Sequence, residues 1–319
     1  MDRPVNDVVE IRKYKATDAS VWNDFVGTAV NATFLHDRGF MDYHADRFQD
    51  HSLIIEEAGK VISLLPANQK DDVLHSHGGL TYGGLLVPPK YSAAKMLEVV
   101  ASLHDYLVAS GIKSFFYKPS PHIFHSHPAE ADLHALVQAG AKLVQTDIGT
   151  AIPLRRRLPF NSLRKRCVKK ATKAGLEVCE SHDFQAFWDV LSAVLQSRHQ
   201  TAPTHSLEEI ILLADRFPDA IRLFGTFDGE QMLAGMILFD CGMTVHAQYI
   251  ATADTGRDLG ALDLLVHHLV DEVFNNREWF SFGISTMEGG RELNIGLSRQ
   301  KEMFGGHSVM FSKYQWDLI

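Results

Sequence analysis

The sequence predicts an α/β (α+β) chain made of two copies of one unit, each a mixed, mostly antiparallel central sheet flanked by helices. Three observations predict it. The order strand, two helices, three meander strands, helix, strand, helix, strand occurs twice along the 319 residues. A strand near residues 245–251 runs into a loop holding Gly256 and Gly260, then at once into a helix. A run of nine basic residues with no acidic one, over residues 155–175, lies between the copies. The boundary is expected near residue 150, with units over 1–152 and 153–319. A chain of this length accommodates two domains of ordinary size.

In the first copy, residues 8–14 predict an opening strand, and Asp18 is placed to cap a helix through Trp22, Phe25 and Val26. Residues 37–48 predict a second short helix. Two apolar runs split by Gly59-Lys60 predict a hairpin, closed by Pro66. Residues 74–86 hold a glycine-dense segment. A long helix is expected over 91–110, a strand over 114–117, a helix over 129–138 and a strand over 142–152.

The second copy repeats that grammar. Residues 176–180 predict a strand. Asp183 and Ser206 each predict a helix start, and Glu209 completes a capping box with Ser206. Asp228-Gly229 between apolar runs predicts a hairpin. After the glycine loop, Leu262, Leu265, Val266, Leu269, Val270 and Val273 fall on one helical face. A strand over 279–284, a turn over 285–290, a helix from about residue 291 and a strand over 308–316 complete the copy.

Composition narrows the function. No apolar run approaches the ~18 residues of a membrane helix, and the N-terminus lacks a signal-peptide core. Three cysteines without close spacing predict a reduced, cytoplasmic protein. A net charge of −8 argues against nucleic-acid binding over the whole surface. His122, His125 and His127 crowd one loop, but no second ligand cluster completes a metal shell, so no metal is expected.

The C-terminal block carries the sharpest motif. Phe282-Gly283, Ser285-Thr286, Gly289-Gly290, Asn294-Ile295-Gly296-Leu297 and Lys301-Glu302-Met303-Phe304-Gly305 occur in that order. The block resembles the C-terminal signature of FemABX-like members of the GNAT acyltransferase superfamily. The basic run followed by Gly175-Leu176-Glu177-Val178 is similar to the same relatives. The resemblance implies tandem GNAT-like domains, the first on the acceptor side and the second binding donor and performing catalysis.

Candidate site residues follow. A helix entered from a glycine loop offers unpaired N–H groups to a phosphate, so Thr255, Gly256, Arg257, Gly260 and Ala261 form a candidate donor seat, joined by Gln248, Ser285 and Asn294. Glycines used only as punctuation fit the loop as well. A branched residue at Gly260 is expected to weaken donor binding with the fold intact. His246, Tyr249 and Glu288 are candidates for proton transfer. Lys301, which matches the family's C-terminal lysine, is a candidate for neutralising developing charge. Arg38, Tyr43, His44, His77, Tyr82 and Gly83 are candidate acceptor contacts.

The expected activity is acyl transfer from a CoA thioester such as acetyl-CoA to an amine, less readily a hydroxyl. The acceptor is a small molecule, an amino sugar or a cell-envelope precursor. Aminoacyl-tRNA is the alternative donor, favoured by the basic run, which equally fits a solvated helix face. A non-catalytic tandem binding protein is the alternative of another class.

Overall fold

The structure, a computed structural model, describes residues 8–198 and 203–318. The chain divides into two compact units. One holds the described residues up to Asp147 together with 289–291 and 310–318; the other holds 148–288 and 292–309.

In the first unit, Val9–Lys13, Leu53–Glu57 and Lys60–Leu65 form a three-stranded antiparallel sheet. Asn68–Lys70 pairs antiparallel with Val73–His75, which runs parallel to Ser114–Tyr117, which pairs antiparallel with residues 314–317 of the last strand. The long helix Ala93–Ala109 begins at Ser92, whose hydroxyl accepts the Lys95 N–H. It buries Met96, Val99, Val100, Leu103 and Leu107 against Leu74, Phe115 and Trp316. That face repeats at three and four residues, as a helix on a sheet must.

In the second unit the sheet order is Lys142–Pro153 (through its residues 149–153), Trp279–Ile284, Thr244–Thr252, Gln231–Asp240, Ile221–Asp228 and Glu177–Ser181. Among the described residues of this unit, only the Trp279–Ile284/Thr244–Thr252 pair is parallel. Helix Phe184–Arg198 seats the fully buried Phe187 beside Gly235, where a Cβ would lie 2.5 Å from its ring. Phe187→Ala should therefore leave a void and cost about 3–5 kcal/mol, read from denaturant unfolding.

Several elements differ from the sequence expectation. Asp18 is the N-cap residue of Ala19–Val26, but its carboxylate accepts from Arg12 and the Lys15 N–H and makes no cap bond to that helix. Residues 37–48 form only the short helix Arg38–Met41 and a 3₁₀ turn, Asp42–His44, because Arg38 turns inward to carboxylates from two places in the chain. The stretch after Thr252 is not open loop: Asp254–Leu259 is helical, and Gly260 turns the chain into Ala261–His268, which continues as a π turn to Val273. The last helix begins at Ile295, because Glu292–Leu293 pairs with Thr286–Met287 and Asn294 caps it with its side chain.

Candidate functional site

The second unit holds a cavity of about 460 Å³. It opens where two parallel strands part. Thr244–Thr252 pairs with Trp279–Ile284 only from Thr244↔Trp279 to His246↔Ser281. Beyond His246 that strand edge has no partner strand among the described residues, so its backbone donors are available to a ligand. On its other edge Ile237 faces Tyr249 while Leu238 faces Ala247. Gln248 is therefore the extra residue of a β-bulge, a device that re-aims side chains beside sites.

Ile250, Thr252, Met236, Leu262 and Phe282 line the cavity, and Arg164, Arg257 and Lys301 add three cations against one carboxylate, Asp263. Lys301 is buried at 6% exposure, and its Nζ donates to the carbonyls of Gly283 (3.1 Å) and Ile284 (2.6 Å). Burial pulls its pKa down to about 8, since the ammonium has left bulk water without gaining a carboxylate. His246 is buried, with Nδ1 3.1 Å from Ser281 Oγ. Burial, then the Lys301 charge, pushes it down to about 4, so its imidazole is neutral at pH 7. Two such shifted groups side by side mark a site.

Tyr249 points to the strand face opposite Ile250 and Thr252. Its hydroxyl lies 2.6 Å from His205 Nδ1 and accepts the His205 backbone N–H. Burial raises its pKa. His205 comes from a distant loop and carries no sequence motif, so sequence reasoning missed it. Glu288 is exposed in a turn at φ 50° and does not line the cavity.

The glycine loop is packed rather than open. A Cβ on Gly256 would lie 2.4 Å from the Leu233 carbonyl oxygen, and one on Gly260 2.7 Å from that of Cys167. Cys167 belongs to the basic helix Ser162–Lys173, which lies across this turn, with Lys170 Nζ on the Asp258 carbonyl. Ala261 is fully buried, its carbonyl accepting from Thr226 Oγ1. Thr255 is exposed, and Arg257 pairs with Asp254 while lining the cavity. Ser285 Oγ is buried without a hydrogen-bond partner among the described residues. Asn294 Oδ1 is engaged by the Leu297 N–H, which gives that side chain a capping role.

The basic helix divides by direction. Arg164 turns into the cavity, 3.0 Å from Asp263 and 4.7 Å over the Phe304 ring. Lys165, Arg166, Lys169 and Lys173 face outward. Asn161 caps this helix, its side-chain oxygen accepting the Arg164 N–H.

In the first unit, Arg38 is buried between Asp42, Asp50 and Ser52 and stacks 3.8 Å over Tyr14. Tyr43 stacks on His44 at 4.2 Å, and His44 lies 5.2 Å from His77. His77 is buried at φ 60°, and burial, then nearby cations, pushes it down to about 3. Tyr82 is buried, its hydroxyl 3.2 Å from Thr33 Oγ1. The glycines nearby serve internal approach: a Cβ on Gly79 would lie 2.1 Å from His44 Nε2, and one on Gly83 2.2 Å from the Ser76 carbonyl oxygen.

Comparisons with known proteins agree with this geometry. Residues 161–289 match the acetyltransferase (GNAT) domain family. The fold is similar to that of FemX, whose crystal structure matches with a TM-score of 0.70 at 12% identity, covering 97% of each chain. L-PGS from Bacillus licheniformis matches at TM-score 0.62 and 8% identity, covering 95% of this chain and 92% of that one. A tandem GNAT protein from the clavulanic acid biosynthesis pathway matches at 0.51 and 11% identity, covering 98% and 99%. No curated protein matches by sequence. The mixed, mostly antiparallel sheets and the FemABX-like resemblance expected from the C-terminal block are borne out at the level of fold.

Proposed function

We propose that the chain is an acyltransferase that moves an acyl group from a CoA thioester to an amine, with the second unit binding the donor and the first serving the acceptor. The observation that carries this reading is the parting of the two parallel strands over a cavity that holds a buried lysine. Backbone N–H donors on the Thr244–Thr252 strand edge beyond His246 polarise the acyl carbonyl. Arg164 and Arg257 supply charge for the donor phosphates. The amine attacks the carbonyl carbon, the carbon–sulfur bond breaks, and the thiolate leaves and is protonated. The proton that the amine nitrogen loses is the one that the departing thiolate takes up. The Lys301 ammonium offsets the negative charge that develops on the way. His246, neutral beside Lys301, orients Ser281. The acceptor is a small amine or a cell-envelope precursor, and the protein acts in the cytoplasm without metal.

Aminoacyl-tRNA is the second reading, favoured by the outward cations of the basic helix that lies on the glycine turn. The sequence alone suggests testing it by removing Arg164, Lys165 and Arg166 together. Arg164 belongs to the cavity, so the clean variant is Lys165→Ala/Arg166→Ala/Lys169→Ala. With tRNA as donor, each lost phosphate contact should lower the slope of log affinity against log salt by about 1. With acyl-CoA as donor, transfer should scarcely change. Salt-steep tRNA binding lost in this variant would replace the CoA reading.

A further inference from the structure

The first unit holds another cavity, of about 770 Å³, to which the transfer chemistry assigns no role. Register builds its floor. Asn68 and His75 face each other across the antiparallel pair of Asn68–Lys70 and Val73–His75, and directly opposed side chains leave a sheet on the same side. Gly78 lies beside them, its N–H donating to Asn68 Oδ1 at 2.6 Å. A Cβ on Gly78 would lie 3.4 Å from that oxygen and 3.3 Å from the Phe48 ring. Asn68, His75, Gly78 and Phe48 are therefore neighbours, and all four line this one cavity.

The polar groups on the floor are unengaged. Asn68 is buried at 5% exposure. The Gly78 N–H takes its oxygen, so the amide NH₂ is the end left for the cavity, two donors with no acceptor among the described residues. His75 is half-buried, its ring stacked on Phe116 at 5.4 Å and 14°. Burial, then Lys313, Lys118 and Lys70, lowers its pKa, so at pH 7 the imidazole is neutral, with one N–H to donate and one bare nitrogen to accept. Neither ring nitrogen has a hydrogen-bond partner among the described residues. The rim is balanced in charge, the exposed Arg47 and Lys70 standing against the exposed Asp46 and Asp71. A phosphate or an ammonium is drawn by two of these groups and opposed by the other two.

We propose that this cavity is a binding site for an uncharged sugar ring. Its hydroxyls accept from the Asn68 NH₂ and donate to the bare nitrogen of His75. The C–H face of the sugar rests on Phe48, whose π face carries partial negative charge. A hydroxyl both donates and accepts, as a neutral floor offering both kinds of group requires, whereas a carboxylate or phosphate oxygen only accepts. The volume falls within the roughly 300–1,000 Å³ of small-molecule pockets. The inference assumes nothing about the transfer reaction.

The test is a titration of the full-length protein with the methyl glycosides of glucose, galactose, mannose and N-acetylglucosamine, followed by saturation-transfer NMR of the glycoside signals. Saturable binding of at least one of the four is expected, at least about tenfold weaker in Asn68→Asp and in His75→Phe. Asn68→Asp keeps the oxygen that holds the Gly78 N–H and removes the NH₂. His75→Phe keeps a flat ring on Phe116 and removes both nitrogens; where Asn68→Asp does not fold, His75→Phe decides. Binding of none of the four, or equal affinity in His75→Phe, overturns the site. Binding of uridine diphosphate but of none of the glycosides overturns an uncharged ligand in favour of a nucleotide.

Discussion

Lys301→Met should lower transfer by about 10²–10³-fold while far-UV circular dichroism stays unchanged. Methionine matches the buried stem and removes the charge held at the carbonyls of Gly283 and Ile284. The pH dependence gives the sharper reading. Burial sets the Lys301 pKa at about 8, below the ordinary 10.5. The working form is the ammonium, so transfer should fall as pH rises through about 8. Lys301→Arg keeps a charge that does not titrate in this range, so its residual activity should lack that alkaline limb. Stability runs the other way. Between about 8 and 10.5 the unfolded chain holds this proton and the folded chain does not, so this group's contribution to stability rises with pH across that window. An alkaline limb that persists in both variants would remove Lys301 from the chemistry.

Gly260→Val should unfold or strongly destabilise the second unit. The residue sits at φ +82°, and a Cβ would lie 2.7 Å from the Cys167 carbonyl oxygen, a backbone atom of the basic helix. A left-handed β-branched residue costs about 1–2 kcal/mol, and forcing the helix aside adds about 1–3 kcal/mol. The melting temperature should drop by several degrees at least. Gly229→Ala, at φ +58° with open space around it, should cost only the backbone term. The sequence alone predicts that Gly260→Val loses donor binding with the fold intact. Equal melting temperatures for Gly260→Val and wild type would restore that expectation.

Much of the fold is legible in the sequence because its signals are local. The Asp228-Gly229 hairpin, the Ser206/Glu209 capping box and the periodic face from Leu262 to Val270 each depend on residues a few positions apart. The site is less legible because its geometry depends on distant residues. Nothing near Gly260 in sequence reveals that Cys167 packs on it, so a packing glycine looks like a phosphate glycine. Arg38 and Asp50 lie twelve positions apart, and only the fold shows that this arginine is spent on internal carboxylates. The residues of 164–166 look alike as a run, whereas the helix turns one to Asp263 and leaves the others outside. Lys301 stands out in sequence through its motif, and its buried place over the Gly283 and Ile284 carbonyls adds the physical reason.

The most direct test of acyl transfer is the release of free thiol from acetyl-CoA in the presence of a panel of small amines and amino sugars, with aminoacyl-tRNA deacylation run beside it. Thiol release is expected to depend on the amine, to saturate in acetyl-CoA and to be lost in Lys301→Met. Amine-dependent deacylation of tRNA with no thiol release would change the donor. Absence of amine-dependent release from either donor, together with no saturable binding of acetyl-CoA or aminoacyl-tRNA, would contradict an acyltransferase and leave a binding protein.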